Sequence, residues 1–285
     1  MNKTELMSLY EKDGIIILKN FFSREQIEEY RKLFLHTENQ NLERRYIPFE
    51  EIPHSLQLLE DTLNKRLKKV LNEIFEDPIL VPDFILQINN TPKKLLIPHY
   101  DSQSYIRHGL KKELPNLQCA KLGLYFQDND SDHSGGIWAI KGSHKYYLFR
   151  IVWRLPIMRN FFDKLIKKFY KNKQKPIDIS SGDLAIFDGR LLHSSSPVSS
   201  GDASIKRSKY AFYFSCAGNL SNARSYMKTE TIKFAEEIKS NNKDDCQRIG
   251  YFFSDPLLKW KNNNKEKNKD WKIFELNKLF IESTK

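Results

Sequence analysis

Two hydrophobic patterns divide this chain. Up to about residue 75 apolar residues recur mostly at helical spacing, and from Ile79 they fall into short runs set off by turn residues. After a short polar helix, Asp13-Gly14 turns into the β-branched run Ile15-Ile16-Ile17-Leu18, which predicts a strand. Ser23 and Gln26 form a capping-box signature ahead of Ile27, Tyr30, Leu33 and Phe34, so a helix starts here. The stripe Leu56, Leu59, Leu63, Leu67, Val70, Leu71 and Ile74 predicts an amphipathic helix over 54–75 that packs against a sheet. Beyond it, strands are expected at 83–89, 95–99, 120–127, 137–140, 183–187 and 209–216. Many short strands with turns between them argue for an all-β sandwich or barrel rather than alternating β/α units.

The segment 146–175 breaks this rhythm. Phe149, Trp153, Phe161, Phe162 and Leu165 mix with Arg and Lys around Pro156, which reads as one or two basic amphipathic helices. Two readings stand: an insert packed on the barrel, or a lid or lipid-surface element making peripheral membrane contact. From about residue 217 the chain is a highly charged extension. Its run Asn262-Asn263-Asn264-Lys265-Glu266-Lys267-Asn268-Lys269 predicts a solvated loop. Trp260, Trp271, Phe274, Leu276, Leu279 and Phe280 around that run predict a tail that returns to the body. No internal repeat interrupts the 285 residues, and 1–285 is read as a single domain.

Charge and cysteine usage narrow the picture only slightly. The 47 Lys+Arg against 36 Asp+Glu give a net charge of +11, which favours anionic partners. These charges are spread along an Asn- and Lys-rich chain without an aromatic-basic recognition motif, so no nucleic-acid partner is expected. The three cysteines, Cys119, Cys216 and Cys246, share no close spacing and suggest neither a disulfide framework nor a zinc knuckle. The N-terminal residues form no apolar signal segment and no run approaches the length of a membrane span, so a soluble cytoplasmic protein is expected.

Candidate chemistry begins at Leu95-Leu96-Ile97-Pro98-His99-Tyr100-Asp101. On a strand, residues i and i+2 share a face, so His99 and Asp101 can converge on one cation. A third candidate, His193, ends the run Gly182-Asp183-Leu184-Ala185-Ile186-Phe187-Asp188-Gly189-Arg190-Leu191-Leu192. With 7 histidines in the chain a bare His-x-Asp pair is a weak signal. Two histidines and one carboxylate nevertheless form the facial set used by non-haem Fe(II) oxygenases.

Four blocks together resemble the phytanoyl-CoA dioxygenase-like family of Fe(II)- and 2-oxoglutarate-dependent oxygenases. They are the opening from Asp13-Gly14-Ile15 to Gln26, Pro98-His99-Tyr100-Asp101, the strand Lys121-Leu122-Gly123-Leu124-Tyr125 with the later Gly142-Ser143-His144 turn, and Gly182-Asp183-Leu184 through His193-Ser194-Ser195. The resemblance, over about 13–215, implies a double-stranded β-helix, or jelly-roll barrel, with flanking helices. It implies iron on His99, Asp101 and His193, with 2-oxoglutarate as cosubstrate and O2 as oxidant. It further implies hydroxylation of an unactivated C–H bond with release of succinate and CO2. Retention of the carboxylate Asp101 points to hydroxylation over halogenation.

For the distal carboxylate of 2-oxoglutarate, family members use an arginine and a serine. Ser195 matches the serine, while the arginine's place is contested between Lys209, aligned on the strand, and Arg207 two residues earlier. Gln87 matches a polar contact to the same cosubstrate. Lys121 and Tyr125 share a strand face toward cosubstrate or substrate, Lys121 being equally readable as a strand-edge surface charge, and His144 belongs to a structural turn. His36, His54, His108 and His133 are read as surface. The expected substrate is a small molecule, or a carrier- or lipid-linked metabolite, with an anionic group as one option. Two alternatives remain: a catalytically silent barrel that binds a ligand, and a hydroxylase of protein or nucleic acid.

Overall fold

Gly14, in the left-handed region at φ 73°, separates the first helix α1 (Lys3–Asp13) from the first strand β1 (Ile15–Leu18). The computed structural model describes residues 3–40, 46–48, 52, 54–89, 99–102, 116–128, 136–145, 173–195, 209–239, 256–263 and 268–275. Helix α2 (Arg24–Gln40) begins with the reciprocal bonds the capping box predicts. Ser23 N donates to Gln26 Oε1 at 2.9 Å, and Gln26 N donates to Ser23 Oγ at 3.3 Å. Strand β2 (Tyr46–Pro48) follows.

The helix expected over 54–75 is in fact two, α3 (Ser55–Thr62) and α4 (Lys65–Ile74). Asn64 makes the break. Its backbone is extended, its Oδ1 accepts from Leu67 N at 3.0 Å, and its Nδ2 donates to the Asp61 carbonyl at 2.7 Å. One side chain therefore closes the first helix and caps the second, a competition with helical hydrogen bonding at which asparagine excels. The apolar stripe survives because Leu58, Leu59, Leu63, Leu67, Val70, Leu71 and Ile74 all still point inward.

The remaining elements are β3 (Ile79–Asn89), β4 (Cys119–Tyr125), β5 (Ile137–Ala139), a 3-10 turn (Ser143–Lys145), β6 (Lys175–Pro176), β7 (Leu184–Asp188), β8 (His193–Ser195), β9 (Lys209–Ala217), α5 (Leu220–Lys239), α6 (Pro256–Asn263) and β10 (Lys272–Ile273). They form two sheets, a major one in the order β1-β7-β4-β9-β3-β10 with β2 beside β3, and a minor one in the order β6-β5-β8. An isolated antiparallel bridge adds His99 to the free edge of β8. Two facing, largely antiparallel sheets of interleaved chain order make the expected double-stranded β-helix.

Strand alternation divides the core in two. On the outer face of the major sheet, Ile16, Leu122, Leu124, Ile186, Phe212 and Phe214 pack under the helices against Phe34, Leu67 and Leu71. On the inner face, Ile15, Tyr125, Ala185, Phe187 and Ala211 meet Ile137 and Ala139 of the minor sheet. Gly123 also lies on this inner face, where a Cβ would come within 2.7 Å of the Tyr213 ring.

The tail does return to the body. Trp260 and Trp271 belong to the same core as Phe34, Trp260 Nε1 donates to Glu60 Oε2 at 3.0 Å, and β10 runs parallel to the start of β3. The polar run ends differently from expectation: Asn268 is 3% exposed, with Nδ2 donating to the Trp260 carbonyl at 3.3 Å. That carbonyl lies in the last turn of α6, where helix-end acceptors are satisfied by groups from outside the helix. Leu276, Leu279, Phe280 and nearly all of the segment 146–175 lie outside the described residues. Among the described residues, no helix is long and apolar enough to cross a membrane.

This packing predicts that Trp260→Ala destabilises the fold by about 3–5 kcal/mol, as large aromatic truncations in cores do. Loss of the Asn64 cap in Asn64→Ala costs ~1 kcal/mol. Urea denaturation followed by tryptophan-independent circular dichroism measures both. A wild-type midpoint for Trp260→Ala would remove the tail from the core.

Candidate metal centre

Two antiparallel backbone bonds create the site. His99 N donates to the His193 carbonyl at 2.8 Å and His193 N donates to the His99 carbonyl at 3.0 Å. Residues paired directly across a sheet share a face, and here the two imidazole centroids are 4.5 Å apart. Asp101, two residues beyond His99, places Oδ1 3.8 Å from Nε2 of each histidine. All three ligand atoms lie within 4.8 Å of one another, so the expected triad converges and could hold one metal ion.

Several contacts fix His193 in place. Its Nδ1 lies 3.0 Å from the Leu191 carbonyl, a bond that requires the proton on Nδ1 and leaves the Nε2 lone pair for a cation. On the chain just before it, Leu192 N donates to Ser143 Oγ at 2.8 Å and Ile140 N donates to the Leu192 carbonyl at 3.1 Å. Phe187 closes one side, its ring centroid 4.9 Å from the imidazole. Burial pushes the His193 pKa below its ordinary value, opposed by the Asp101 carboxylate and helped by the His99 and Lys121 charges. The neutral imidazole is the form that ligates a metal.

The turn between β7 and β8 holds both halves together. Asp188 accepts from Arg190 N and Nε at 2.8 Å each and from its terminal nitrogen at 2.7 Å, a forked pair that is nearly buried. Gly189 in that turn accepts from Ser102 N at 2.8 Å, tying the residue after Asp101 to the same loop that presents His193. The Asp-x-Arg spacing was visible in the sequence, but its clamp role depends on a turn that periodicity does not reveal.

The other blocks that carry the family resemblance are brackets around this centre. Gly182, at φ +85°, lies so close to the Phe22 carbonyl that a Cβ would reach 2.6 Å, and its own carbonyl accepts from Phe21 N and Phe22 N. Asp183 accepts from Asn20 N at 2.9 Å and from Ser180 N at 2.8 Å. His144 is buried against Gly14, with Nε2 3.0 Å from the Glu11 carbonyl. The Gly-Ser-His turn is thus joined to α1 on one side and to Leu192 on the other. His54, expected at the surface, is exposed.

Cosubstrate candidates are placed by backbone register. Lys209 opens β9 opposite Asn89, Gln87 pairs with Ala211, and Ser195 pairs with Ile137. Their side chains, and Arg207 entirely, lie outside what is described. Tyr125 and Tyr213 share the inner face of the major sheet, their hydroxyls 3.1 Å apart. Burial raises the Tyr125 pKa well above the ordinary phenol value, Tyr213 and Asp101 adding to it.

Of the expectations for Lys121, a surface charge or a contact to cosubstrate or substrate, the free surface charge is the one its burial and pairing do not fit. Its ammonium lies 2.5 Å from Asp83, which is 2% exposed and also accepts from Ser215 and Tyr226. Sequence reasoning missed this cluster because its members come from β3, β4, β9 and α5, with no shared motif. Cys119 and Cys216 are buried and in no disulfide.

No curated protein matches the chain. Among solved structures, EctD from S. alaskensis with 2-oxoglutarate and 5-hydroxyectoine superposes with a TM-score of 0.57 at 14% identity, covering 78% of this chain and 77% of that one. HygX from Streptomyces hygroscopicus with nickel and 2-oxoglutarate gives 0.54 at 14% identity, covering 76% and 87%. EvdMO1 gives 0.52 at 14% identity over 75% of this chain, which spans only 50% of that protein. At such identities these likenesses establish the fold. The family model described as phytanoyl-CoA dioxygenase (PhyH) matches residues 10–208, and the chain therefore belongs to this family of Fe(II)- and 2-oxoglutarate-dependent oxygenases.

Proposed function

We propose that this chain hydroxylates an unactivated C–H bond of a small molecule, using Fe(II), 2-oxoglutarate and O2. The carrying observation is the convergence of His99, Asp101 and His193 within 4.8 Å from two paired β segments. The donor set fits the metal: two imidazole nitrogens and one carboxylate suit non-haem Fe(II), and three protein ligands on one side leave positions for exchangeable ligands. Iron bound there supplies activation of O2 by oxidative decarboxylation of 2-oxoglutarate, giving succinate and CO2 and leaving one oxygen atom for the substrate.

The protein's own residues do the rest. The Leu191 carbonyl holds the His193 tautomer, and the Asp188–Arg190 turn keeps His193 and the Asp101 segment in one register. Lys209, at the far end of β9, is our candidate for the distal carboxylate, with Ser195 and Gln87 assisting and Arg207 as the competing cation. A lysine can hold a carboxylate as a point charge where an arginine would fork it. Commitment of Lys121 to Asp83 supports this choice, because a cation already neutralised by a carboxylate is a poor second anchor. EctD is solved with a small molecule, 5-hydroxyectoine, which supports a small-molecule substrate for this chain. Carrier or lipid linkage, with membrane contact through 146–175, is a further option of the same reading. The shared core of barrel and tail supports 1–285 as one catalytic domain, and two buried cysteines outside any disulfide support a reducing cytoplasm.

Anaerobic addition of Fe(II) and 2-oxoglutarate to the purified protein should produce the weak visible charge-transfer band of the chelate. No band would refute the reading. His99→Ala, Asp101→Ala and His193→Ala should each abolish 2-oxoglutarate consumption with far-ultraviolet circular dichroism unchanged, and turnover surviving in two of them would unseat the triad.

Lys209→Ala should raise the apparent constant for 2-oxoglutarate at least a hundredfold, since unpairing a desolvated carboxylate costs about 3–5 kcal/mol. Each tenfold corresponds to about 1.4 kcal/mol. Arg207→Ala should change it less than about fivefold, as an exposed charge would. The opposite ranking would transfer the role to Arg207.

A further inference from the structure

The inner face of the major sheet holds a second polar cluster, apart from the three ligand residues. Asp83 sits where the β3–β9 pairing shifts register, between Val81 and Ile85, and its side chain reaches Lys121 on the inner face of β4. Its Oδ2 takes Lys121 Nζ at 2.5 Å, Ser215 Oγ at 2.5 Å and Tyr226 OH at 2.7 Å. Asp83 and Ser215 are 2% and 1% exposed, whereas 19% of the Lys121 side chain remains accessible. The carboxylate and hydroxyls therefore form the back of the cluster, and the lysine is the part that shows.

A buried ion pair is weak evidence for stability, because desolvation of both charges offsets their attraction. Around this one the inner face is otherwise apolar or aromatic, with Phe187, Ala185 and Tyr125. An ammonium carries three N–H donors, and among the described residues Asp83 alone accepts from Lys121. Donor capacity is left over on a side chain that stays partly accessible, beside Phe187, whose ring packs on the triad residue His193.

Position distinguishes this cluster from the cosubstrate end. Lys121 is the direct cross-strand partner of Phe187, whose ring packs on His193. Lys209 lies six positions before Ser215 along β9, roughly 20 Å away at the rise of an extended strand. On the reading proposed above, 2-oxoglutarate extends from the metal toward Lys209, and the Lys121 side of the metal is left for the substrate.

We propose that Lys121, held by Asp83, Ser215 and Tyr226, is a specificity residue that takes an uncharged acceptor of the substrate, a carbonyl or hydroxyl oxygen. Charge balance selects the class. The Lys121–Asp83 pair is already neutral, so a carbonyl oxygen adds a hydrogen bond and no net charge, while a carboxylate leaves an uncompensated negative charge in a partly desolvated cleft. This inference rests on the oxygenase reading for the location of the cosubstrate, but not for the chemistry of the cluster.

The test uses two probes of equal shape, hexanamide and hexanoate, titrated calorimetrically into the full-length chain with zinc and 2-oxoglutarate added to fill the metal and distal-carboxylate positions. Wild type should bind hexanamide in preference to hexanoate. Lys121→Met, which keeps the stem and removes the donors, should weaken hexanamide at least tenfold, and Lys121→Arg should restore most of it. Asp83→Asn leaves the lysine charge uncompensated and should reverse the preference toward hexanoate, an effect that simple loss of packing would not produce. If that variant fails to fold, the Met and Arg comparison decides. Preference of wild type for hexanoate, equal binding by Lys121→Met, or no binding of hexanamide would overturn the proposal. The anaerobic Fe(II) and 2-oxoglutarate band of wild type is read separately: its absence refutes the oxygenase reading, whereas its presence with failed hexanamide selectivity refutes this subsite alone.

Discussion

The reciprocal backbone pairing of His99 with His193 is the constraint on which the centre depends. Those two bonds, at 2.8 and 3.0 Å, join an edge segment to β8 and put both imidazoles on one face. A register shift of one residue would put the two rings on opposite faces, since side chains alternate along a strand. Much of the surrounding architecture serves to keep that register. The Asp188–Arg190 fork shapes the turn, Gly189 anchors Ser102, and Ser143 anchors Leu192.

A second constraint is the division of labour between the faces of the major sheet. The helices α1 to α4 cover one face with aliphatic and aromatic side chains, so that face can be filled without regard to chemistry. The opposite face must leave room. Gly123 makes that room for the Tyr213 ring, and the tyrosine pair and Lys121 supply polar groups where the outer face has Leu122 and Leu124. Bulky outer positions thus permit sparse inner ones on the same strand, because the sheet's stability is supplied from the outer face.

Electrostatics around the centre are organised as pairs rather than as isolated charges. Asp83 is matched to Lys121, Asp188 to Arg190, and the triad carboxylate Asp101 to two imidazoles that are neutral when they ligate. An unpaired charge in such a place would carry the full cost of desolvation. The consequence for function is that each cation around the centre has to be asked what it is already bound to before it is assigned a ligand. Lys121, read from strand alternation as a contact to cosubstrate or substrate, is already bound to Asp83.

Local patterns along the chain were enough to determine a good deal. The capping box at Ser23 and Gln26, the strand run at Ile15, the i and i+2 relation of His99 and Asp101, and the return of Trp260 and Trp271 to the body are all short-range or compositional facts. Periodicity could not see Asn64, because a helix stripe continues across a cap that costs only one turn. It could not see Asn268 turn inward, since the donor it supplies answers a carbonyl at the end of α6. Tertiary structure alone decided which residues meet from distant strands: Asp83 with Lys121, Ser215 and Tyr226, and the two histidines with each other. The physical reason is that sheet register between non-sequential strands is set by the summed packing of both faces, a quantity that no local stretch of sequence contains.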